Sequence, residues 1–530
     1  MSKTTETSTQ QQSSPKQART IITGSSPISD SIVPTLASLT HTKRPALTVD
    51  NINQKVRSAE YAVRGELAVL SEQLRLDLKD PEKAKDLPFP EVISANIGNP
   101  QQLDQKPITF FRQVLSLLEC PTLLEFEGDA QKKAAVEQLY APDAIERART
   151  LLKAVGSVGA YSQSQGALEI RKNVAKFIEE RDGFPADPNS IFLTAGASSG
   201  VNTLLTTICA TENTGILIPI PQYPLYTATL ALLGAHPVPY YLDEATGWST
   251  SIESIEESLI KAKESGIDVR SICVINPGNP TGAALTRDNI KGVIDLAAKH
   301  NLILMADEVY QTNVFLGEFH SFKKVLREMQ SEAPQKYAHV SLVSLHSVSK
   351  GMVGECGHRG GYFELVGFTP EVVAQIYKLI SIFLCPPVIG QCLVDLMVRP
   401  PKQGEPSYEL YRKEYDGIYE TLKTRAMAIY EAFSRMKGVE CQEPGGAMYL
   451  FPTIRLPQKA VQKAAEEGKK PDDYYCLRLL KATGVCVVPG SGFGQKEGEF
   501  HFRTTFLAPG TEWVGRIEKF HEEFMKEFED

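Results

Sequence analysis

Between residues 190 and 350 short apolar runs alternate with stretches of helical period. "IFLT" (191–194) leads into a segment whose Val201, Leu204, Leu205 and Ile208 share one helical face, and "GILIPI" (215–220) follows. "SICVI" (271–275) leads, after a loop, to Thr286 as the predicted N-cap of a helix with Ile290, Val293, Ile294 and Ala297 on one face, and then to "LILMA" (302–306). "HVSLVSLHS" (339–347) adds a further strand. This alternation is the sequence form of right-handed βαβ units, so the fold class expected is α/β: a large domain with a mostly parallel sheet covered by helices on both faces. The C-terminal third changes character. A long polar helical stretch, "KEYDGIYETLKTRAMAIYEAF", gives way to short strand candidates in "GGAMYLFP", "GVCVVP" and "EFHFRTTFLAP", which predicts a smaller α+β domain. The organisation expected is a disordered arm over 1–49, a segment over 50–130 that starts the small domain and connects onward, a large domain over 131–390, and the rest of the small domain over 391–530.

Composition narrows the partners. The chain has 530 residues, 42% of them hydrophobic and 23% charged, enough for a large core. Its net charge of -8 gives no basic field, so neither nucleic acid nor an anionic membrane is an expected partner. Nine cysteines without a CxxC pair or zinc-like spacing read as buried thiols of a reducing compartment, with no disulfide framework and no metal site. The most apolar windows, 216–233 and 379–398, are broken by prolines and by Gln222, Gln391 and Asp395, so no membrane span is expected. Residues 1–40, rich in Ser, Thr and Gln, cannot build a core of their own. They lack a secretory apolar run and the repeated arginines of a transit peptide, which points to the cytoplasm, with the mitochondrial matrix as the alternative.

In an open parallel sheet ligands bind beyond the carboxyl ends of the strands. Here those ends are followed by "AGASSG", "PQYPLY", "NPGNPTG", "DEVY" and "SVSK". Each alone is equally at home as a cap, a turn or half-buried packing. Together they line one edge of one sheet with a small-residue helix start, an aromatic, an asparagine, an acid with a tyrosine, and a lysine. A helix N-terminus opened by Ser198, with Arg359 nearby, suits a dianionic phosphate. Asp307 could pair with a protonated pyridine nitrogen, and Asn279 and Tyr310 could hydrogen-bond a phenolic oxygen. Lys350 could then form a Schiff base with an aldehyde. These groups describe a site for pyridoxal phosphate with Lys350 as its covalent anchor.

From about residue 50 to its end the chain also resembles the pyridoxal-phosphate-dependent aminotransferases of fold type I, and among them the alanine aminotransferase group. The resemblance runs through "NIGNPQQLDQKPITFFRQVL", "GAYSQSQGALEIRKNVAKFIEERDG", "VINPGNPTGAAL", "MADEVYQ", "SVSKGMVGECGHRGGY", "GGAMYLFP" and "HFRTTFL", in that order. It implies Lys350 as anchor and proton shuttle, Asp307 on the ring nitrogen, Tyr223 stacked on the ring, and Asn279 and Tyr310 on the ring oxygen. Gly196, Ala197, Ser198, Ser347 and Arg359 would hold the phosphate, and Tyr161 would reach the phosphate of a neighbouring subunit in a homodimer with shared sites. Arg503 would clamp the substrate α-carboxylate with Asn279 and the backbone at Gly98. The spacing of nine from Lys350 to Arg359, where most relatives have eight, resembles the alanine aminotransferase form.

The implied activity moves an amino group between alanine with 2-oxoglutarate and pyruvate with glutamate, by a ping-pong route. A glutamate:glyoxylate aminotransferase would share these motifs. A lyase on the same scaffold and an inactive scaffold protein are the remaining rivals. An inactive protein would be expected to lack Lys350 or Asp307, and both are present. By pattern alone Arg503, in the alternating "FHFRTTF", is as well suited to an exposed strand face, and His346 reads as a structural histidine.

Overall fold

In the computed structural model, which describes residues 46–61 and 65–529, the apolar runs become one seven-stranded sheet. Its strands are β1 (Ile191–Thr194), β2 (Thr214–Ile220), β3 (His236–Tyr241), β4 (Asp268–Ile275), β5 (Ile303–Asp307), β6 (Leu342–Ser347) and β7 (Gly361–Val366). They lie in the order β1-β7-β6-β5-β4-β2-β3. The five strands from β6 to β3 pair in parallel, and β7 runs antiparallel to both of its neighbours, β6 and β1. An antiparallel neighbour needs no helical crossover, so the chain passes from β6 to β7 through one loop, residues 348–360. That loop carries Lys350 and Arg359.

The central strands read as unbroken apolar runs because both faces are covered. Leu217, Ile272 and Val274 pack on one side with residues of the helices Ile252–Glu264, Arg287–His300 and Phe322–Glu332. Ile216, Ile218, Cys273 and Ile275 face the opposite layer, with the helices Ala197–Ile208, Leu225–Leu233 and Pro370–Ser381. Thr286 caps its helix as expected, within a reciprocal capping box with Asn289. The helix Ala197–Ile208 buries Val201, Leu204, Leu205 and Ile208, but Ser198 does not open it. Its N-cap is Gly196, at φ 84, a left-handed conformation that glycine tolerates and serine resists.

The C-terminal third contains the long helix Tyr408–Arg435 and a small antiparallel sheet of β8 (Tyr449–Leu450), β9 (Val488–Pro489) and β10 (Phe502–Thr505), with β10 in the centre. "GVCVVP" divides between two sheets. Val488 and Pro489 pair with β10, while Val485 and Cys486 pair in parallel with Ile93 and Ser94. Earlier in the chain, the helix Thr109–Glu119 packs its apolar face with the helices Pro142–Val155 and Val388–Val398. The chain from Asn53 onward forms one compact unit. The expected disordered arm falls, up to residue 45, outside the described residues. None of the described helices is long and apolar enough to cross a membrane.

Candidate active site

The carboxyl ends of the parallel strands open onto a cavity of about 300 Å³. Strand β5 delivers Asp307 to its floor, 6% exposed, where Oδ2 accepts a hydrogen bond from the Tyr226 hydroxyl at 2.8 Å and Oδ1 accepts one from the Val309 amide at 3.4 Å. Burial raises the Asp307 pKa; the two hydrogen bonds and the nearby Lys350 charge act against that rise. Three residues beyond β6, Lys350 reaches across the cavity and its Nζ donates to the Gly98 carbonyl at 2.8 Å. Gly98 is sterically fixed: a Cβ there would lie 1.9 Å from the Tyr449 hydroxyl.

At one end of the cavity Ala197 and Ser198, in the first turn of their helix, meet Arg359 and Ser347. Arg359 donates to the carbonyls of Cys356 and Ala195, each at 2.9 Å, and to the Ser198 Oγ at 3.5 Å. A Cβ on Gly196 would stand 2.4 Å from its guanidinium, so the glycine is needed both for its backbone conformation and for this approach. The Ser347 hydroxyl accepts from the Ser349 amide at 3.3 Å.

Arg503 occupies another part of the wall. The alternation of its strand suits an exposed side chain equally well, but β10 is central and covered on both faces, and Arg503 is 1% exposed. Its Nη1 donates to Asn279 Oδ1 at 3.0 Å and its Nη2 to the Asn96 carbonyl at 2.6 Å. The guanidinium lies over the rings of Tyr449 and Phe493, 4.2 and 4.7 Å from their centroids. Its buried Nε has no protein partner. The Asn279 amide donates onward to the Tyr310 hydroxyl, which donates to Tyr449, each at 3.4 Å. Burial pushes the Tyr310 hydroxyl well above its usual range. Burial acts the same way on Tyr449, but the Lys350 and Arg503 charges hold it below the ordinary tyrosine value.

Twelve of the thirteen residues singled out in the sequence thus meet at or directly behind one cavity. The thirteenth, Tyr161, is 77% exposed and lies apart from it in the single chain. Sequence reasoning missed three tyrosines: Tyr226 on Asp307, Tyr449 against Gly98, and Tyr61, whose hydroxyl is hydrogen-bonded to that of Tyr223 at the cavity rim. Tyr226 and Tyr449 fall within the quoted segments "PQYPLY" and "GGAMYLFP", where each gave a signal. Nothing local marks Tyr61. His346 is buried beside the Tyr362 ring, and its burial drives its pKa down to about 3, so it stays neutral.

An α/β sheet whose strand ends gather a lysine and an aspartate, facing a half-buried arginine on one side and a buried arginine from the small sheet on the other, defines a class that comparison with known proteins identifies. Residues 131–514 match the sequence model of the class I and II aminotransferases, and the chain belongs to that family. Over 488 residues it is 54% identical to a Saccharomyces cerevisiae protein named mitochondrial alanine aminotransferase, covering 91% of this chain and 81% of the relative. It is also 46% identical over 491 residues to Arabidopsis thaliana glutamate–glyoxylate aminotransferase 1, covering 92% of this chain and 98% of the relative. Among solved structures, an alanine aminotransferase from Pyrococcus furiosus aligns with a TM-score of 0.67 at 24% identity, over 89% of this chain and 100% of that one, a likeness of fold.

Proposed function

We propose that the chain is a pyridoxal-phosphate-dependent aminotransferase that exchanges the amino group between alanine with 2-oxoglutarate and pyruvate with glutamate. The observation that carries this reading is the meeting, in one cavity, of Lys350, Asp307, Arg359 and Arg503. The donor set fits the cofactor. The free N–H groups of the helix Ala197–Ile208, with Ser198, Ser347 and Arg359, suit a phosphate. Asp307 suits a ring nitrogen that carries a proton, Asn279 and Tyr310 suit a ring oxygen, and Tyr223 supplies an aromatic face. Bound there, the cofactor supplies an electron sink for breaking the bond between the substrate Cα and its hydrogen.

The chain's own groups do the rest. Arg503 grips the α-carboxylate as a bidentate fork, with Asn279 beside it and the Gly98 backbone closing the opposite side. That grip aims the Cα–H bond at Lys350, whose Nζ takes the proton as general base and returns it as general acid. Tyr226 holds the Asp307 carboxylate in position by its 2.8 Å hydrogen bond.

The yeast relative's name favours alanine, and the Arabidopsis relative's name favours a glutamate:glyoxylate exchange as the second reading. An assay of purified protein with an amino-acid panel against 2-oxoglutarate, pyruvate and glyoxylate separates them. Alanine and glutamate should be good donors, with aspartate, tyrosine and the branched-chain amino acids poor. A methylene-sized difference gives a pocket only about 1–3 kcal/mol with which to discriminate, so the preference for alanine must come largely from exclusion. Far better use of glyoxylate than of pyruvate would transfer the assignment to the second reading, and strong aspartate or aromatic activity would defeat both. The yeast relative's name also favours a mitochondrial location over the cytoplasm.

A homodimer with shared sites is part of the proposal, supported by the exposure of large apolar side chains at Tyr161, at Phe383, 72% exposed, and at Ile382, 70% exposed. Inactive Lys350→Ala chains mixed with Tyr161→Phe chains should regain activity if Tyr161 serves the neighbouring site and its loss is nearly inactivating. The mixed dimer then has one site damaged twice and one intact. Verified subunit exchange without recovery would mean self-contained sites.

A further inference from the structure

We propose that Tyr61, at the rim of the cavity, binds the distal carboxylate of glutamate and 2-oxoglutarate and thereby lets one site serve both a monocarboxylic and a dicarboxylic partner. The proposal rests on the aminotransferase reading above and adds the group that fits the second acid of the substrate.

Tyr61 arrives from far away in the sequence and is held where it is by contacts of its own segment. The preceding turn of helix, Gln54–Ser58, packs beside the helix Leu225–Leu233. There Lys55 Nζ donates to Glu212 at 2.5 Å and to the Leu233 carbonyl at 3.3 Å. The chain then runs to the cavity, where the Tyr61 and Tyr223 hydroxyls are hydrogen-bonded and the two rings meet edge to face, 6.1 Å between centroids.

Counting protons shows what this pair can do. Two phenolic hydroxyls carry two hydrogens and their mutual bond uses one, so the accepting hydroxyl keeps a hydrogen to donate elsewhere. Burial pushes the Tyr223 hydroxyl far above its usual range, so Tyr223 keeps its proton to donate to the Tyr61 oxygen, and the hydrogen left over is the one on Tyr61. When alanine occupies the site its methyl asks nothing of the pair, and the hydroxyls satisfy each other. When glutamate does, the spare hydrogen meets the carboxylate. Neither substrate leaves a buried polar group stranded, which is the condition for accepting both.

The other candidates are engaged. Among the described residues the cations lining the cavity are Lys350, Arg359 and Arg503, each with a part in holding cofactor or α-carboxylate. The Asn99 amide is bonded to Gln102 at 2.9 Å, and the Tyr449 hydroxyl accepts from Tyr310 beside Gly98. Tyr61 remains 37% exposed, so a carboxylate bound there keeps part of its hydration and avoids the large cost of burying an anion outright.

The test is Tyr61→Phe in the full-length holoenzyme, measured by single-turnover half-reactions with alanine and with glutamate separately. The ratio of kcat/KM for alanine to that for glutamate should rise about tenfold or more, as expected when a site loses a hydrogen bond made to only one of two substrates. A ring that merely orders the rim would lower both half-reactions alike, and an unchanged or falling ratio overturns the proposal. Failure of the underlying reading would show differently, as wild-type protein that does not exchange alanine with 2-oxoglutarate. The Tyr61 assignment would then be read from whichever monocarboxylic and dicarboxylic donors the wild type accepts.

Discussion

A Lys350→Ala variant should retain its fold and lose turnover. The substitution removes the amine proposed to hold the cofactor covalently and the base that moves the proton at the substrate Cα. Loss of acid–base function alone typically costs ~10²–10⁴-fold, and here the attachment is lost with it. The structural cost is small by comparison, because the Nζ hydrogen bond to the Gly98 carbonyl is a single contact worth about 1 kcal/mol net. Thermal unfolding should therefore shift little while activity disappears. Borohydride treatment of protein supplied with pyridoxal phosphate should fix a cofactor-sized mass at residue 350 in the wild type and none in the variant. A variant that still held the cofactor covalently would show that the anchor lies elsewhere.

Arg503→Lys should damage all four substrates. The guanidinium serves the Asn279 oxygen, the Asn96 carbonyl and two aromatic faces while its Nε keeps a hydrogen without a protein partner. A lysine ammonium has neither the fork nor the flat surface to reproduce this. Truncating one partner of a buried charged pair costs about 2–5 kcal/mol, so kcat/KM should fall by on the order of 30-fold at least. Because alanine, pyruvate, glutamate and 2-oxoglutarate share the α-carboxylate, both half-reactions should fall together. Loss confined to glutamate and 2-oxoglutarate would move Arg503 to the distal carboxylate and leave the α-carboxylate without its clamp. The contrast with Tyr61→Phe, where only the dicarboxylic partner should suffer, makes the two variants mutual controls.

The parts of this arrangement that were readable from sequence are those set by local rules. Strands buried on both faces advertise themselves as apolar runs, the helix after Thr286 carries its own cap, and the sheet rule then says where Asp307, Asn279 and Lys350 must gather. What was not readable depends on segments far apart in the chain. The N-cap at 196, ahead of Ser198, is a glycine because its φ is positive and because Arg359, 163 positions away in the chain, leaves no room for a Cβ, a demand no local pattern expresses. Arg503 is buried because β8 and β9 flank its strand, although they begin at residues 449 and 488. Tyr61 meets Tyr223 across 162 positions, and its own neighbourhood, "SAEYAVRG", shows neither strand nor helix period. The family resemblance supplied a role for Arg503 that alternation could not, yet it offered none for Tyr61.

The reversal of β7 also separates what can vary from what cannot. Lys350 and Arg359 sit on one loop whose two ends are stitched into adjacent strands, so the proposed anchor and the proposed phosphate clamp are carried on one short piece of backbone. The groups proposed to read the substrate, Tyr61 and Arg503, come instead from the two ends of the chain, outside that sheet. Alterations in those outer segments can retune which acids are admitted while the reactive half stays as it is, so a change of diet need not be a change of chemistry.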